Sequence, residues 1–578
     1  MDRRKFLKNT IGGIGGSILA SSLIDFYLLN VYRGMIHRAF GLPQGGEAEK
    51  KFLNVAVYGG MPGWMWNIPL RPNGDSDAFS YGYQTNDPSK SMLWTKFVSD
   101  SAAPGGFSGR YEHTRVGDWH LPYLWSGLIA RPDGQTEQMS KLAANMLAMR
   151  GIRFQFDDHE GNRYRNVRPE KGMSIGGLVA DRATTPLPAI AFDAGVNYFK
   201  SAKGISQLEL TKDQAFASAF SSFQGAGERI NGNATLQNKL DGVLDLMRAN
   251  SALKNSSLPT TYSDRVAARR LMTKDLVALE AQFNAMKSKY LDLVTRAISD
   301  SALRLEGLDN VAMPGQASKN FRISTTSDGS KQGIYYGGDD IRNLAANASI
   351  PWLAEQFAIS ELMLTGGSIG SAFSSSINIV AFGGFYANAD KVYIGEGSTT
   401  PVLNRQYYFP VDSHYVGSHA HLILHSKYAR ALSSCLYELI TRLKGVSSGN
   451  GSLFDSTLIA VTTEFNRTND QLQVGTGHGY TGSAYTLFSG SIPETTVVGN
   501  IKTDVAVENF GGTWGDAAPM EGAVSNGNYL TLGNAVSTAC QILGVPSPTP
   551  LYPALATRNP VTGKVFVPQI WSKPENIS

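Results

Sequence analysis

The sequence predicts an α/β fold, a three-layer sandwich whose mainly parallel central sheet is covered by helices on both faces. Three observations predict it. Apolar runs of strand length alternate with segments of helical spacing along the chain, the pattern of strands and crossover helices in a parallel sheet. The first run, Phe52-Leu53-Asn54-Val55-Ala56-Val57-Tyr58, reads as a strand buried on both sides and stops at Gly59-Gly60. At 578 residues, with 42% hydrophobic and 17% charged residues, the chain can bury a large core and is not of disordered composition.

The elements follow in order. After the strand at 52–58, a region rich in Trp, Pro, Gly and Asp runs as loop to about residue 115. Residues 120–130 and 138–149 have helical spacing, and 151–156 and 187–192 read as short strands. Sustained helical spacing with many charges over 266–298 predicts a long helix or helical hairpin inside a helical insertion near 205–310. A helix is expected at 352–364, a strand at 376–382 and a strongly amphipathic helix at 419–444. A Ser/Gly loop at 446–452 then leads to a β-rich run at 456–463. Further strands are expected at 485–489 and 495–498, and a last helix at 530–543. No internal repeat is visible. The α/β domain spans 50–555, followed by a C-terminal tail at 556–578.

The N-terminus is set apart. Arg3-Arg4, then Phe6-Leu7 and Lys8, precede an apolar run at 11–29 that is Gly-rich at its start and interrupted by Asp25. This is the form of a twin-arginine (Tat) signal over residues 1–30, which hands a folded protein to the Tat translocase. Leu19-Ala20-Ser21 is a poor version of an Ala-x-Ala cleavage site. The segment is therefore either removed or kept as a membrane anchor through residues 11–29. The expected location is the periplasm or cell envelope, free or membrane-tethered. Net charge is +4, of which the first eight residues carry +3, so the remainder lacks the basic excess of a nucleic-acid-binding protein.

Two cysteines, Cys435 and Cys540, lie in apolar helical stretches. They are either two buried thiols or one disulfide of an oxidising compartment. Trp64, Trp66 and Trp119 either pack inside loops or cluster on the surface, where they would mark a scaffold or a carbohydrate-like ligand.

In open α/β sheets functional side chains gather beyond the carboxyl ends of strands, and three groups fall at such places. Asp412 and His414 are two residues apart in an extended segment and point to one side, as ligands of a divalent metal do. Glu464 and Arg467 end the run at 456–463, where an acid suits metal and an arginine suits an oxyanion, or the two form a structural ion pair. His478 is presented by the glycine loop Gly475-Thr476-Gly477-His478-Gly479. Asp157, Asp158 and His159 form a fourth polar cluster, either metal ligands or a solvated loop. His421 and His425 share a helical face otherwise made for core packing, and His419 lies nearest Asp412 and His414 in the chain.

Taken together these residues resemble the metal-site half of the alkaline phosphatase/sulfatase superfamily. More closely, they resemble an uncharacterised, Tat-exported, sulfatase-like bacterial family, the domain of unknown function numbered fifteen-oh-one. Val411-Asp412-Ser413-His414 matches its Gly-Trp-Asp-Thr-His segment, and Thr463-Glu464-Phe465-Asn466-Arg467-Thr468 matches its Ser-Glu-Phe-Gly-Arg-Thr. Gly475 to Gly479 matches its glycine-rich Asp-His loop, Gly59-Gly60-Met61-Pro62-Gly63 partly matches its Gly-Gly-x-Asp-Gly, and the stretch from Asn528 to Pro546 matches its tail. The resemblance covers roughly residues 50–555.

It implies an alkaline-phosphatase-like fold and hydrolysis of phosphate or sulfate esters with a divalent ion, zinc, calcium or magnesium. Asp412, His414 and His478 would ligate one ion and Glu464 a second, while Arg467 would stabilise the transferring group. The segment nearest the family's nucleophile holds Asp158, where relatives show Ser-His. Pro62 stands where the family has a ligating acid, and Gly477 replaces the acid before the loop histidine. The chain is thus either a divergent metal-dependent hydrolase or a non-catalytic envelope scaffold or binding protein on a degraded fold of this kind.

Overall fold

The computed structural model describes residues 49–63, 65–69, 114–153, 159–169, 172–185, 187–192, 198–220, 276–305, 322–325, 333–336, 345–346, 349–370, 372–381, 384–389, 392–394, 405–410, 412, 418–469, 476–479, 482–502, 515–520 and 528–568. The expected signal segment at 1–30, Asp157, Asp158, His414 and Trp64 lie outside the described residues. So does most of the expected helical insertion before residue 276.

A mixed sheet of eight strands forms the centre. In chain order these are β1 (Lys51–Val57), β2 (Met146–Ile152), β3 (Ala189–Phe192), β4 (Leu208–Leu210), β5 (Ser376–Ala381), β6 (Thr457–Thr463), β7 (Ser483–Phe488) and β8 (Thr496–Val498). Their spatial order is β8-β2-β7-β6-β1-β5-β3-β4. β1 pairs in parallel with both β5 and β6, with Val55 opposite Ile379 on one side and Val461 on the other. β7 is antiparallel to both of its neighbours, and every other pairing is parallel. Seven strands therefore point one way.

Continuous apolar strands imply cover on both faces, and β1 divides its side chains accordingly. Leu53, Val55 and Val57 enter one core with α3 (Leu276–Ser299), α4 (Ser349–Thr365) and α5 (Ser418–Gly445). Phe52 and Ala56 enter the opposite core with α2 (Ile175–Ala180) and α6 (Leu532–Leu543). Cys435 belongs to the first core and Cys540 to the second, so the sheet separates two free buried thiols. Burial pushes the Cys540 thiol up to about 12 and the Cys435 thiol higher still.

Helix ends are closed by specific groups. Thr531 donates from N and Oγ1 to Asn534 Oδ1 at the start of α6, and Gly544 (φ +70°) ends that helix while Val545 N bonds back to Cys540 O at 3.0 Å. The orphan carbonyls at the end of α3 are met by cations of α5. Lys427 Nζ donates to Ile298 O (2.5 Å) and Arg430 Nε to Ala297 O (2.9 Å), satisfying groups that burial would otherwise leave costly.

The helices expected at 120–130 and 138–149 are not formed. Thr114–Val116 pairs with Trp119–Leu121, Leu128–Ala130 pairs with Thr136–Gln138, and 3-10 turns cover Tyr123–Ser126 and Met139–Asn145. Residues 138–149 are rich in Leu, Met and Ala, which favour helix. In β2 those residues alternate between the two cores, Met146 and Ala148 in one and Leu147 and Met149 in the other, so pairing in the sheet overrides propensity. The Ser/Gly loop at 446–452 contains a small hairpin, Ser447–Ser448 with Gly451–Ser452. Beyond residue 555, Thr557–Arg558 pairs with Val565–Phe566, and Val565 is buried against the domain. Among the described residues no helix is long and apolar enough to cross a membrane.

Candidate functional site

The carboxyl ends of β1, β2 and β6 lie on one edge of the sheet, and the loops leaving them are tied together. Met61 N donates to Thr463 Oγ1 (3.0 Å) and Gly63 N to Asn466 Oδ1 (2.6 Å), which fastens the loop after β1 to the loop after β6. Asn166, just beyond the helix α1 (His159–Arg165) that follows β2, donates to Thr463 O at 2.9 Å. The glycine at 60 is required by this closeness. Its φ is +74°, and a Cβ there would stand 2.7 Å from the Phe465 ring and 3.1 Å from Arg467 Nε.

Within this frame Glu464 and Arg467 are wholly buried, while His159 is 27% and Asp412 25% exposed. Glu464 Oε2 accepts from Gly59 N (3.2 Å) and lies 2.5 Å from His159 Nδ1. Glu464 Oε1 lies 3.2 Å from Arg163 Nε, an ion-pair contact without hydrogen-bond geometry. Arg467 donates from Nε to Gly59 O (2.6 Å) and pairs through its terminal nitrogen with Asp412 Oδ1. His159 Nε2 faces Asp412 Oδ2 at 3.7 Å. Tyr58 completes the cluster, its ring stacked on His159 at 6.0 Å and lying under the Arg163 guanidinium at 4.6 Å.

The electrostatics follow from burial. Loss of water raises the Glu464 carboxyl above its ordinary value, although His159, Arg163 and Arg467 pull the other way. Burial lowers the Arg467 guanidinium against the opposing pull of Asp412 and Glu464. Burial, then the charges of Glu464 and Asp412, raise the Tyr58 phenol.

Asp412, Glu464 and Arg467, expected from sequence to work together, are thus brought into one cluster. His478 lies on the strand Thr476–Gly479, which pairs with Asn466–Asn469 and sets His478 opposite Arg467 in register. The Asp158 and His414 expectations fall outside the described residues. His425 is a buried residue of α5. Trp66 and Trp119 are buried too, Trp66 stacked on Trp125 at 5.6 Å, so they pack inside the protein and present no aromatic surface. Tyr58 and Arg163 escaped the sequence reading. Tyr58 had a signal, as the last residue of an apolar run before paired glycines, whereas Arg163 had none.

Asp412 and Glu464 address opposite nitrogens of one imidazole ring, so the ring, and not a shared ion, lies between these two oxygens. Each carboxylate is also already compensated by a guanidinium. Among the described residues no group of three His, Cys, Asp or Glu side chains could hold a metal. What the arrangement offers is a buried carboxylate behind a part-exposed imidazole, with cationic groups alongside. No protein-family model matches the chain, and neither a curated protein nor a solved structure matches it.

Proposed function

We propose that this chain is an exported sulfatase/phosphatase-like hydrolase acting on phosphate or sulfate esters at the carboxyl edge of its central sheet. One observation carries the reading. Residues far apart in sequence, Tyr58, His159, Arg163, Asp412, Glu464 and Arg467, converge at the ends of β1, β2 and β6, where α/β folds place their active sites. The resemblance to the Tat-exported sulfatase-like family, and through it to an alkaline-phosphatase-like fold, belongs to the same proposal. So do export by the Tat translocase and residence in the periplasm or envelope, with residues 11–29 as signal or anchor. A divalent ion is a further part of it and would depend on His414, His478 and Asp158.

A second reading, a non-catalytic envelope scaffold, is favoured by the full burial and ion pairing of Glu464 and Arg467, as in a structural network. The purified exported protein should cleave p-nitrophenyl phosphate or p-nitrophenyl sulfate, and Asp412→Ala should lose that activity while keeping the fold. Metal analysis of the same preparation decides the ion. No turnover of either ester, with zinc, calcium or magnesium added, would leave the scaffold.

A further inference from the structure

We infer that His159 is the proton-transfer residue of this site and that Glu464 positions it, an assignment resting on the hydrolase reading above. Three features of the geometry set His159 apart. Its Nδ1 is 2.5 Å from Glu464 Oε2, and that carboxylate is itself held by Gly59 N at 3.2 Å and Arg163 at 3.2 Å, so the ring is oriented by a fixed partner. The Tyr58 ring stacks on one side at 6.0 Å and the Phe465 ring meets the imidazole at 4.8 Å and 68°, which fixes the ring plane. The nitrogen not engaged by Glu464 faces the part-exposed Asp412, whereas Glu464 itself has no exposed surface. Among the described residues the charged and titratable neighbours are Tyr58, Arg163, Asp412, Glu464 and Arg467, contributed by four separate segments of the chain.

A buried carboxylate on one imidazole nitrogen fixes which nitrogen exchanges protons, the logic by which a third group orients the base of a catalytic triad. With Glu464 ionised, Nδ1 is the nitrogen that donates to it, and Nε2, which faces Asp412, is the nitrogen assigned to proton exchange. In ester hydrolysis the water oxygen bonds to phosphorus or sulfur while the bond from that atom to the ester oxygen breaks, leaving its electron pair on the departing alcohol oxygen. The proton lost by the water passes to Nε2 and from there to that oxygen, so the imidazole is restored at the end of the cycle. No oxidant, reductant or further co-reactant is required.

The test compares wild type, His159→Ala, His159→Gln and Glu464→Gln on p-nitrophenyl phosphate and p-nitrophenyl sulfate, with and without free imidazole. Removing a general acid–base group should lower kcat at least about 100-fold while KM stays within about threefold. Imidazole should restore part of the His159→Ala rate and none of the Glu464→Gln rate, because the ring is still present in the latter. A far-downfield Nδ1 proton resonance in wild type should vanish in Glu464→Gln, a signature that a merely structural histidine need not give. If His159→Ala melts early, His159→Gln, which keeps an amide to bond Glu464, carries the comparison. An active wild type whose folded His159→Ala or His159→Gln variant keeps its kcat, or whose folded His159→Ala variant gains nothing from imidazole, overturns the inference and leaves the hydrolase reading standing. A wild type inactive on both esters removes the hydrolase reading and the inference falls with it.

Discussion

Replacing Arg467 by Met tests whether the cluster is a charge-compensated unit. The guanidinium is fully buried, donates to Gly59 O at 2.6 Å and pairs with Asp412, and Met keeps much of its length without the charge or the donors. Breaking a buried pair by removing one partner costs about 3–5 kcal/mol, because the other is left uncompensated. The low end applies here, since Asp412 is a quarter exposed and can recover water, while Gly59 O loses a charged donor. For a domain of roughly 500 residues the unfolding entropy is about 1 kcal/mol/K, so a loss of about 3 kcal/mol lowers Tm by about 3 °C. Differential scanning calorimetry at neutral pH and low salt reads this directly. Arg467→Lys should fall between the two, because a single ammonium keeps the charge but not the forked donors that serve Gly59 and Asp412 together. A Met variant melting within about 1 °C of wild type would refute the idea that this guanidinium is the cluster's counter-ion.

Other perturbations have equally definite outcomes. Gly60→Ala places a Cβ 2.7 Å from the Phe465 ring at a φ of +74°, so it should cost at least about 1–2 kcal/mol in backbone strain alone and lower both Tm and any ester turnover. Glu49 is held below its ordinary value of 4.5 despite burial, by Lys51, Ser375 and Thr184. Its stabilising effect is therefore present above pH 4.5 and lost as pH falls through the folded value, so Glu49→Gln should melt below wild type at pH 7 and converge with it in acid. Lys289 Nζ sits 2.7 Å from both Glu361 and Glu438 between α3, α4 and α5, and Lys289→Met should cost about 3 kcal/mol by calorimetry, leaving those carboxylates only Tyr290 and Arg442. Neither Cys435 nor Cys540 should react with a thiol-alkylating reagent in the native protein, and both should react in denaturant, as mass spectrometry would show.

The central strands were legible because burial on both faces leaves a distinctive run. Residues 52–58, 376–382 and 456–463 were expected as strands and lie at Lys51–Val57, Ser376–Ala381 and Thr457–Thr463. Long helices were legible for the complementary reason, as their apolar stripe is repeated over many turns, and 419–444 became Ser418–Gly445. The end of the expected helix at 138–149 is strand instead because β2 is built from Leu, Met and Ala, and its partners β7 and β8 hold it in the sheet. In the site, Glu464, Arg467 and Asp412 were findable from their positions beyond apolar runs. Their pairing was not, since the Arg467 to Asp412 contact spans two loops and leaves no periodicity in the sequence.

Residue type alone points to a metal here, and the structure adds the partners that these side chains already have. Aspartate, glutamate and histidine clustered at strand ends are the side chains that cations recruit, and nothing in a sequence tells which lone pairs are already in use. In this fold Asp412 faces Arg467, and Glu464 is shared among His159, Gly59 N and Arg163. An ion approaching either carboxylate meets the positive charge of Arg467 beside Asp412 and of Arg163 beside Glu464, and that repulsion offsets part of its attraction. The side chain in this cluster that is both oriented by a buried acid and open to solvent is the imidazole of His159.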